Sequence, residues 1–107
     1  MEPIEFIYDC EGFEWDKGNL DKNWAKHGVS PSECERAFFN QPFVVFEDAA
    51  HSEKEKRYYA LARTDQKRHL FLVFVIRKGR VRVISARDMS RKEREAYRSY
   101  EKKDTAF

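Results

Sequence analysis

The sequence predicts an α+β domain in which helices pack on a largely antiparallel sheet. Two observations support this class: several short apolar runs are typical of strands, and two capping boxes mark the starts of helices. The chain has 107 residues with four glycines and three prolines, which fits a single domain over 1–107 with short loops. The predicted order of elements is β-β-α-α-β-β-β-β-α.

Two short strands are predicted at the N-terminus. Ile4, Phe6 and Tyr8 alternate with Glu5 and Ile7 over residues 4–9, which indicates a strand, and the aromatic residues of 13–15 indicate a second. The turn between them predicts a hairpin, so residues 1–12 would form an extra strand-like arm.

Two helices follow, and capping residues mark their ends. Asp16 is the predicted N-cap of the first helix, and Gly28 ends it because glycine accepts the left-handed backbone conformation. Ser30 and Glu33 form a capping box that opens the second helix. Pro42 is expected to stop that helix, because proline lacks the backbone N–H that a helix needs.

Four strands are predicted in the remainder, over residues 43–47, 56–63, 69–77 and 80–87. The third is a continuous apolar run, as expected for a central strand covered on both faces. A two-residue turn makes the last pair antiparallel. Ser90 then opens a final helix through a second capping box, and this helix reaches about residue 103.

The charge is unevenly distributed along the chain. Residues 1–55 contain five Lys and Arg and 13 Asp and Glu, a net charge of −8, whereas residues 56–107 contain 16 and six, a net charge of +10. The densest basic stretch, residues 77–94, has eight basic and two acidic residues. This asymmetry indicates a polyanion or an acidic partner, or else a solvated surface whose halves neutralise each other after folding.

Several function classes are excluded by what the sequence lacks. The two cysteines are far apart and no His-x-x-x-His pair occurs, so we expect neither a disulfide scaffold nor a bound metal, and no other cofactor. Nucleotide-binding glycine motifs and the G-x-S-x-G elbow are missing too. The longest apolar run is seven residues and the N-terminus is acidic, so we expect a cytoplasmic protein without a signal peptide or membrane span.

Arginines, one carboxylate and a tyrosine together suit chemistry on a phosphodiester. Glu55 and Arg57 share one side of a predicted strand, Arg87 ends the last strand, and Tyr97 follows on the last helix. Arginine pairs bidentately with phosphate oxygens and stabilises charge that develops on phosphorus.

Further basic residues extend this candidate site. Strict alternation along the last strand places Arg80 and Arg82 on one face and Arg87 on the other. We expect six residues to contact the substrate: Arg63, Arg80, Arg82, Arg91, Lys92 and Arg94. The alternative is that the arginines form ordinary ion pairs with the acidic half.

Lys26 and His27 close the first helix. His27 is a candidate general acid or base near neutral pH, or else a histidine placed favourably at a helix C-terminus. Trp15 lies just before this helix and Trp24 lies within it, and we expect both to anchor the helix in the core.

The order and spacing of several stretches over residues 13 to about 97 resemble the BrnT family of bacterial type II toxins, within the RelE/ParE-like ribonucleases. The stretches are Phe13-Glu14-Trp15-Asp16, Asn23 with Lys26-His27-Gly28-Val29-Ser30, Phe38, Pro42, His51-Ser52, Glu55-x-Arg57, Arg82-Val83-Ile84-Ser85-Ala86-Arg87 and Arg91-x-Glu93-Arg94-x-x-Tyr97.

The resemblance implies a RelE/ParE-like fold and RNA cleavage that blocks translation. It also implies a cognate antitoxin with a DNA-binding module, which we expect to be of the ribbon-helix-helix type and to form a heterotetramer with the toxin. Glu55, Arg57, Arg87 and Tyr97 match the kinds of residue that such sites use, and Lys26-His27 match a family signature that is either catalytic or structural.

The mechanism expected from these residues is metal-independent endoribonuclease cleavage. Glu55 or His27 would act as the general base, Arg57 and Arg87 would hold the phosphate, and Tyr97 would orient the RNA or the leaving group. Two alternatives remain: a module that binds nucleic acid without cutting it, and a subunit whose basic face binds an acidic protein.

Overall fold

The computed structural model describes residues 10–52 and 54–104, apart from the side chains of residues 19, 20, 23 and 104. Its elements are β1 (Gly12–Glu14), α1 (Lys17–His27), α2 (Pro31–Ala37), β2 (Val44–Glu47), β3 (Arg57–Arg63), β4 (His69–Arg77), β5 (Arg80–Asp88) and α3 (Arg91–Asp104). A short 3-10 turn, Ala49–His51, lies between β2 and β3. The predicted α+β class is confirmed, whereas the strand over residues 4–9 and its hairpin fall outside the described residues.

The five strands of the described chain form one sheet in the order β1-β5-β4-β3-β2. Four of them, from β2 to β5, are successive antiparallel neighbours, and β1 joins the edge of β5 in parallel. The predicted central strand is β4, which has a partner on each side. None of the described helices is long and apolar enough to cross a membrane.

The predicted helix caps are present at α1 and α2. The Asp16 carboxylate accepts a hydrogen bond from the Gly18 N–H at 2.8 Å, and Gly28 has a φ of +62° where α1 ends. The capping box of Ser30 and Glu33 is complete in both directions.

The second helix ends earlier than predicted. It stops at Ala37, five residues before Pro42, because the backbone tightens into a turn in which the Phe39 N–H donates to the Arg36 carbonyl. Proline therefore does not end this helix.

The two faces of the sheet are covered differently. On one face α2 and its flanking segments bury the larger core, in which Phe38 contacts Phe43 and Phe74 with ring centroids 5.0 Å apart. On the other face α3 packs through Tyr97, with Met89 beside it. The smaller core under α3 is formed mainly by residues of β2, β3 and β4 with Met89, and it leaves the part of that face nearest β1 uncovered.

A β-bulge in β5 changes which side chains share a face. Val73 pairs with Ser85 and Phe74 pairs with Val83, so Ile84 is an extra residue between them. Each extra residue in a strand reverses the alternation beyond it. The prediction that Arg87 faces away from Arg80 and Arg82 is therefore wrong, because all three lie on the same face.

Candidate functional site

Besides Arg63, which pairs with Glu101 of α3, five described arginines lie on the sheet face that α3 leaves partly open. Residues that pair directly across neighbouring strands point to the same face, and the register pairs Arg57 and Arg82 with Val75. The same register pairs Arg77 with Arg80, and Arg87 with Phe71. We call this surface the arginine face; its members are Arg57, Arg77, Arg80, Arg82 and Arg87.

A pocket with a volume of about 390 Å³ opens on the arginine face beside the start of β3. Its lining residues are Ala50, His51, Lys54, Glu55, Arg57 and Val75. The fold therefore brings the predicted pair Glu55 and Arg57 to one concave site. The loop before β3 supplies the carboxylate and the strand supplies the guanidinium. We call it the arginine pocket.

Glu55 is held by a bidentate ion pair with Arg77. Its Oε2 and Oε1 accept from Nε and Nη2 of Arg77 at 2.7 and 2.9 Å. This hydrogen bonding to Arg77 lowers the pKa of Glu55, and the charges of Arg82 and Arg57 lower it further. A carboxylate stabilised in its ionised form is a weak proton acceptor, so Glu55 is better suited to organising the guanidinium groups than to taking a proton.

Arg57 resembles Arg80, and differs from Arg77, Arg82 and Arg87, in having a guanidinium that is uncommitted among the described residues. It makes no ion pair or side-chain hydrogen bond within residues 10–52 and 54–104. Arg82, by contrast, donates to Glu14 at 2.6 Å and to Asp16 at 2.7 Å. Arg82 thus forms ion pairs with acidic residues of the N-terminal half, which was the alternative interpretation of these arginines. Arg57 forms no such pair within the described ranges, so its guanidinium is available to a phosphate.

His51 is a functional candidate that the sequence reasoning did not single out. Its Nδ1 lies 2.9 Å from Oδ2 of Asp48, and the His51 side chain is 64% exposed at the arginine pocket. A carboxylate on one ring nitrogen fixes the imidazole and leaves the other nitrogen for proton transfer. The signal was available, since Asp48 and His51 are three residues apart and so lie on one side of a helical turn.

Arg87 lies on the arginine face but away from the arginine pocket. It donates to both oxygens of Glu93 at 2.8 and 2.9 Å, and its guanidinium lies 4.2 Å from the centre of the Phe71 ring. Phe71 is four residues from Val75 along β4, a distance of about 13 Å. Arg87 and Arg57 therefore occupy separate parts of the arginine face.

Tyr97 does not face the arginine pocket. Its side chain is fully buried between α3, to which it belongs, and the sheet. Its hydroxyl donates to the Pro42 carbonyl at 2.6 Å. Its ring also meets the edge of His69, with centroids 5.5 Å apart. This environment makes Tyr97 a residue that holds α3 against the sheet.

Lys26 and His27 are also separate from the arginine pocket. Arg68 donates to the backbone carbonyls of His27 and Gly28 at 3.0 and 2.9 Å, and Asp88 lies close to His27. Asp88 faces the larger core side of the sheet and lies roughly 20 Å along β5 from Arg82. This geometry favours a structural role for Lys26 and His27, at the end of α1, over a catalytic one.

The six predicted RNA-binding residues are dispersed. Arg80 and Arg82 lie on the arginine face, and Lys92 lines a second pocket under α3. Arg63 is paired with Glu101 at 2.9 Å near α3. The remaining two, Arg91 and Arg94, are exposed in the first turns of α3.

Trp15 and Trp24 have different environments. Trp15 packs against the larger core and its Nε1 donates to Glu35 at 2.7 Å, as expected for an anchor. Trp24 is 62% exposed, so the prediction that it anchors α1 is wrong. No group of three or more His, Cys, Asp and Glu side chains in the described part of the chain is arranged to hold a metal ion.

Comparisons with known proteins give a family and a fold. The family model described as "Ribonuclease toxin, BrnT, of type II toxin-antitoxin system" matches residues 15–93. Among solved structures, the chain is similar to the 1.1 Å crystal structure of the Brucella abortus ribonuclease toxin BrnT, with 22% identity and a TM-score of 0.57. That match covers 75% of this chain and 97% of the other. A comparison with curated proteins gives no significant match.

Proposed function

The chain belongs to the BrnT family of ribonuclease toxins of type II toxin–antitoxin systems, and from this premise we propose that it is a metal-independent endoribonuclease whose cleavage of RNA blocks translation. The observation that carries the proposal is the arginine pocket. There the uncommitted Arg57 guanidinium lies beside the Glu55–Arg77 pair and the Asp48–His51 pair. These groups are able to hold a phosphate and to move a proton.

The proposed reaction uses the ribose 2′-hydroxyl as its nucleophile. The 2′-oxygen forms a bond to the adjacent phosphorus while the bond from phosphorus to the 5′-oxygen breaks, which leaves a 2′,3′-cyclic phosphate and a 5′-hydroxyl. The imidazole of His51 accepts the proton of the 2′-hydroxyl and returns it to the leaving 5′-oxygen. Arg57 stabilises the charge that develops on the phosphate oxygens.

The other predicted site residues take different parts in the proposal. Glu55 positions the arginines, and Arg87 contacts the RNA chain away from the cleaved bond. Tyr97 is a positioning residue for α3. Lys26 and His27 end α1 and are not assigned to catalysis.

Substitution of Arg57 tests the proposed site. Purified protein is incubated with single-stranded RNA in the presence of a chelator, and the initial cleavage rate is measured. We expect Arg57→Ala to lose about 10²- to 10³-fold, the usual loss when one charge-stabilising donor is removed. The matched control is Arg36→Ala, which removes an exposed arginine paired with Asp65 and carried by α2.

Two outcomes would contradict the proposal. Equal rates for Arg57→Ala and Arg36→Ala would remove the arginine pocket as the catalytic site. RNA that the wild-type protein binds without cutting would favour the alternative of a non-catalytic nucleic-acid-binding module.

The family also implies an antitoxin partner. We propose that this antitoxin carries a ribbon-helix-helix DNA-binding module, forms a heterotetramer with the toxin in the cytoplasm, and covers the arginine face. Binding of the antitoxin and of RNA should then be mutually exclusive. Titrating the antitoxin into a protein–RNA complex should release the RNA, whereas a stable ternary complex would contradict this arrangement.

A further inference from the structure

A second concave site lies between α3 and the sheet. It has a volume of about 410 Å³. Its sheet side is formed by Phe46, Tyr59 and Phe71, and its helix side by Lys92, Ala96 and Tyr100, which are four residues apart on one face of α3. We call it the aromatic slot.

The aromatic slot has a rigid floor. Phe46 and Tyr59 are stacked with ring centroids 5.2 Å apart, and Tyr59 and Phe71 are stacked at 5.5 Å. The three rings come from three neighbouring strands, and Arg87 covers the last of them at 4.2 Å. Because Tyr59 is covered on both faces, the edge of its ring is what it presents to the slot.

The aromatic slot adjoins the arginine pocket. Tyr59 is two residues from Arg57 on β3, so both side chains point to the same face about 7 Å apart. Along β4, Val75 of the arginine pocket and Phe71 of the slot also point to this face, four residues or about 13 Å apart. A chain bound with one phosphate at Arg57 therefore has its next groups at the slot.

The chemistry of the slot fits a nucleobase. Its walls are mostly apolar and aromatic, and its one acidic lining residue, Glu93, is paired with Arg87. The hydroxyls of Tyr59 and Tyr100 make no hydrogen bond to other described residues. Lys92 supplies a positive charge at the rim. A nucleobase has flat apolar faces and a polar edge, and aromatic side chains set among cations are how proteins bind single-stranded RNA. An aliphatic peptide side chain would leave both hydroxyls unused.

We propose that the aromatic slot receives one base of single-stranded RNA, directly next to the nucleotide whose phosphate lies at Arg57. This inference rests on the proposed ribonuclease function and adds to it a base-binding subsite, made by Tyr59 and Tyr100. The subsite fixes which phosphate of a bound strand reaches His51.

The experiment uses an RNA that lacks one base. The position of wild-type cleavage is first mapped on a single-stranded RNA, and the oligonucleotide is then remade with 2′-fluoro in place of the attacking hydroxyl. Copies with a single abasic nucleotide on either side of that position serve as probes, and dissociation constants are measured for each. For the wild type, one abasic position should weaken binding roughly 5- to 150-fold, the range that corresponds to stacking of one base.

The variant Tyr100→Ala identifies the slot as the cause. It should weaken binding of the intact oligonucleotide by a similar factor, and the abasic substitution should then have little further effect. Tyr59→Phe, which removes only a hydroxyl and preserves the ring stack, should weaken binding a few-fold at the same position. Trp24→Ala is the matched control, because Trp24 is an exposed aromatic residue on α1 and lies outside both sites.

The outcomes separate this proposal from the function on which it rests. If the abasic substitution weakens wild type and Tyr100→Ala equally, the subsite is overturned while ribonuclease activity stands. If Tyr100→Ala binds RNA normally but no longer binds the antitoxin, the slot belongs to a protein partner and the proposal is wrong. If the wild type neither cleaves nor binds RNA, the proposed function fails first.

Discussion

Asp48 and His51 give the arginine pocket a proton acceptor that Glu55 is poorly suited to be. The bidentate bond to Arg77 lowers the pKa of Glu55, so its carboxylate has little tendency to take a proton. The imidazole of His51 is fixed by Asp48 at 2.9 Å and is exposed at the pocket. At the scale of single residues, the proposed mechanism thus assigns charge stabilisation and proton transfer to different groups.

Substituting His51 tests this division. We expect His51→Ala to lower the turnover of RNA about 10²- to 10⁴-fold, the range for loss of a general acid or base, with little change in RNA affinity. Asp48→Asn should lower the turnover by a smaller factor, because this variant keeps the imidazole of His51 and removes only the negative charge of its partner. Undiminished turnover in His51→Ala would show that another group takes the proton.

Substituting Tyr97 tests its placement in the core. Tyr97→Phe removes the hydroxyl and leaves the buried Pro42 carbonyl without its 2.6 Å donor, which should cost about 1–3 kcal/mol of unfolding free energy in urea denaturation. RNA cleavage at temperatures where the variant is folded should be unchanged. A loss of cleavage with unchanged stability would instead place the hydroxyl in the reaction.

At the start of α3, the carboxylate of Glu93 has two structural roles. Glu93 completes the capping box by accepting from the Ser90 N–H at 2.8 Å, and the same carboxylate receives both hydrogen bonds from Arg87. The helix start and the position of Arg87 on the arginine face are therefore coupled.

This coupling predicts a pH dependence. The hydrogen bond from Arg87 lowers the pKa of Glu93, so its stabilising contribution is complete above the usual value of about 4.5 and is lost as the pH falls through the lowered folded-state value. Glu93→Gln should lower the free energy of unfolding by about 1 kcal/mol near neutral pH, a small value because the ion pair with Arg87 is partly solvated. The difference between the variant and the wild type should shrink as the pH falls below about 4.5.

Urea denaturation across this pH range measures the effect. Glu95→Gln is the matched control, since Glu95 pairs with Arg91 only at 3.6 Å on an exposed surface and should change little. A Glu93→Gln difference that stays constant down to acid pH would contradict the coupling.

The elements show what the sequence was able to predict. Caps and apolar periodicity act locally, so the start of α1 at Asp16 and the capping boxes of Ser30 and Ser90 were predictable, as was the strand order along the chain. The bulge at Ile84 has no local signature, and it reversed the predicted orientation of Arg87. The complete burial of Tyr97 was not predicted, because α3 is largely polar and no local pattern marks one of its tyrosines as a core residue.

At the scale of the whole molecule, folding pairs much of the acidic half with the basic half. Glu14 and Asp16 bind Arg82, and Glu55 binds Arg77. Exposed or partly exposed pairs of this kind contribute only about 0–1 kcal/mol each, so a phosphate can displace the carboxylates. We therefore expect the arginine face to bind a polyanion although the protein has a net charge of only +2.

A basic surface that binds RNA predicts a steep dependence on salt. The logarithm of the RNA association constant should fall linearly with the logarithm of salt concentration, by about 0.7 for each phosphate contacted on a single strand. Contacts from four arginines would give a slope of roughly −3. Arg80→Ala should make the slope less steep by about 0.7, and a flat response of the wild type would show that the arginine face is not the contact.

The chemical ends of the RNA products, formed with a chelator present, test the central claim most directly. If the chain's own arginines and histidine perform the cleavage, excess chelator should leave the rate unchanged. Mass spectrometry should then find a 2′,3′-cyclic phosphate on one fragment and a 5′-hydroxyl on the other. Cleavage that stops in chelator and returns with magnesium, or products that end in a 3′-hydroxyl, would contradict the proposed mechanism.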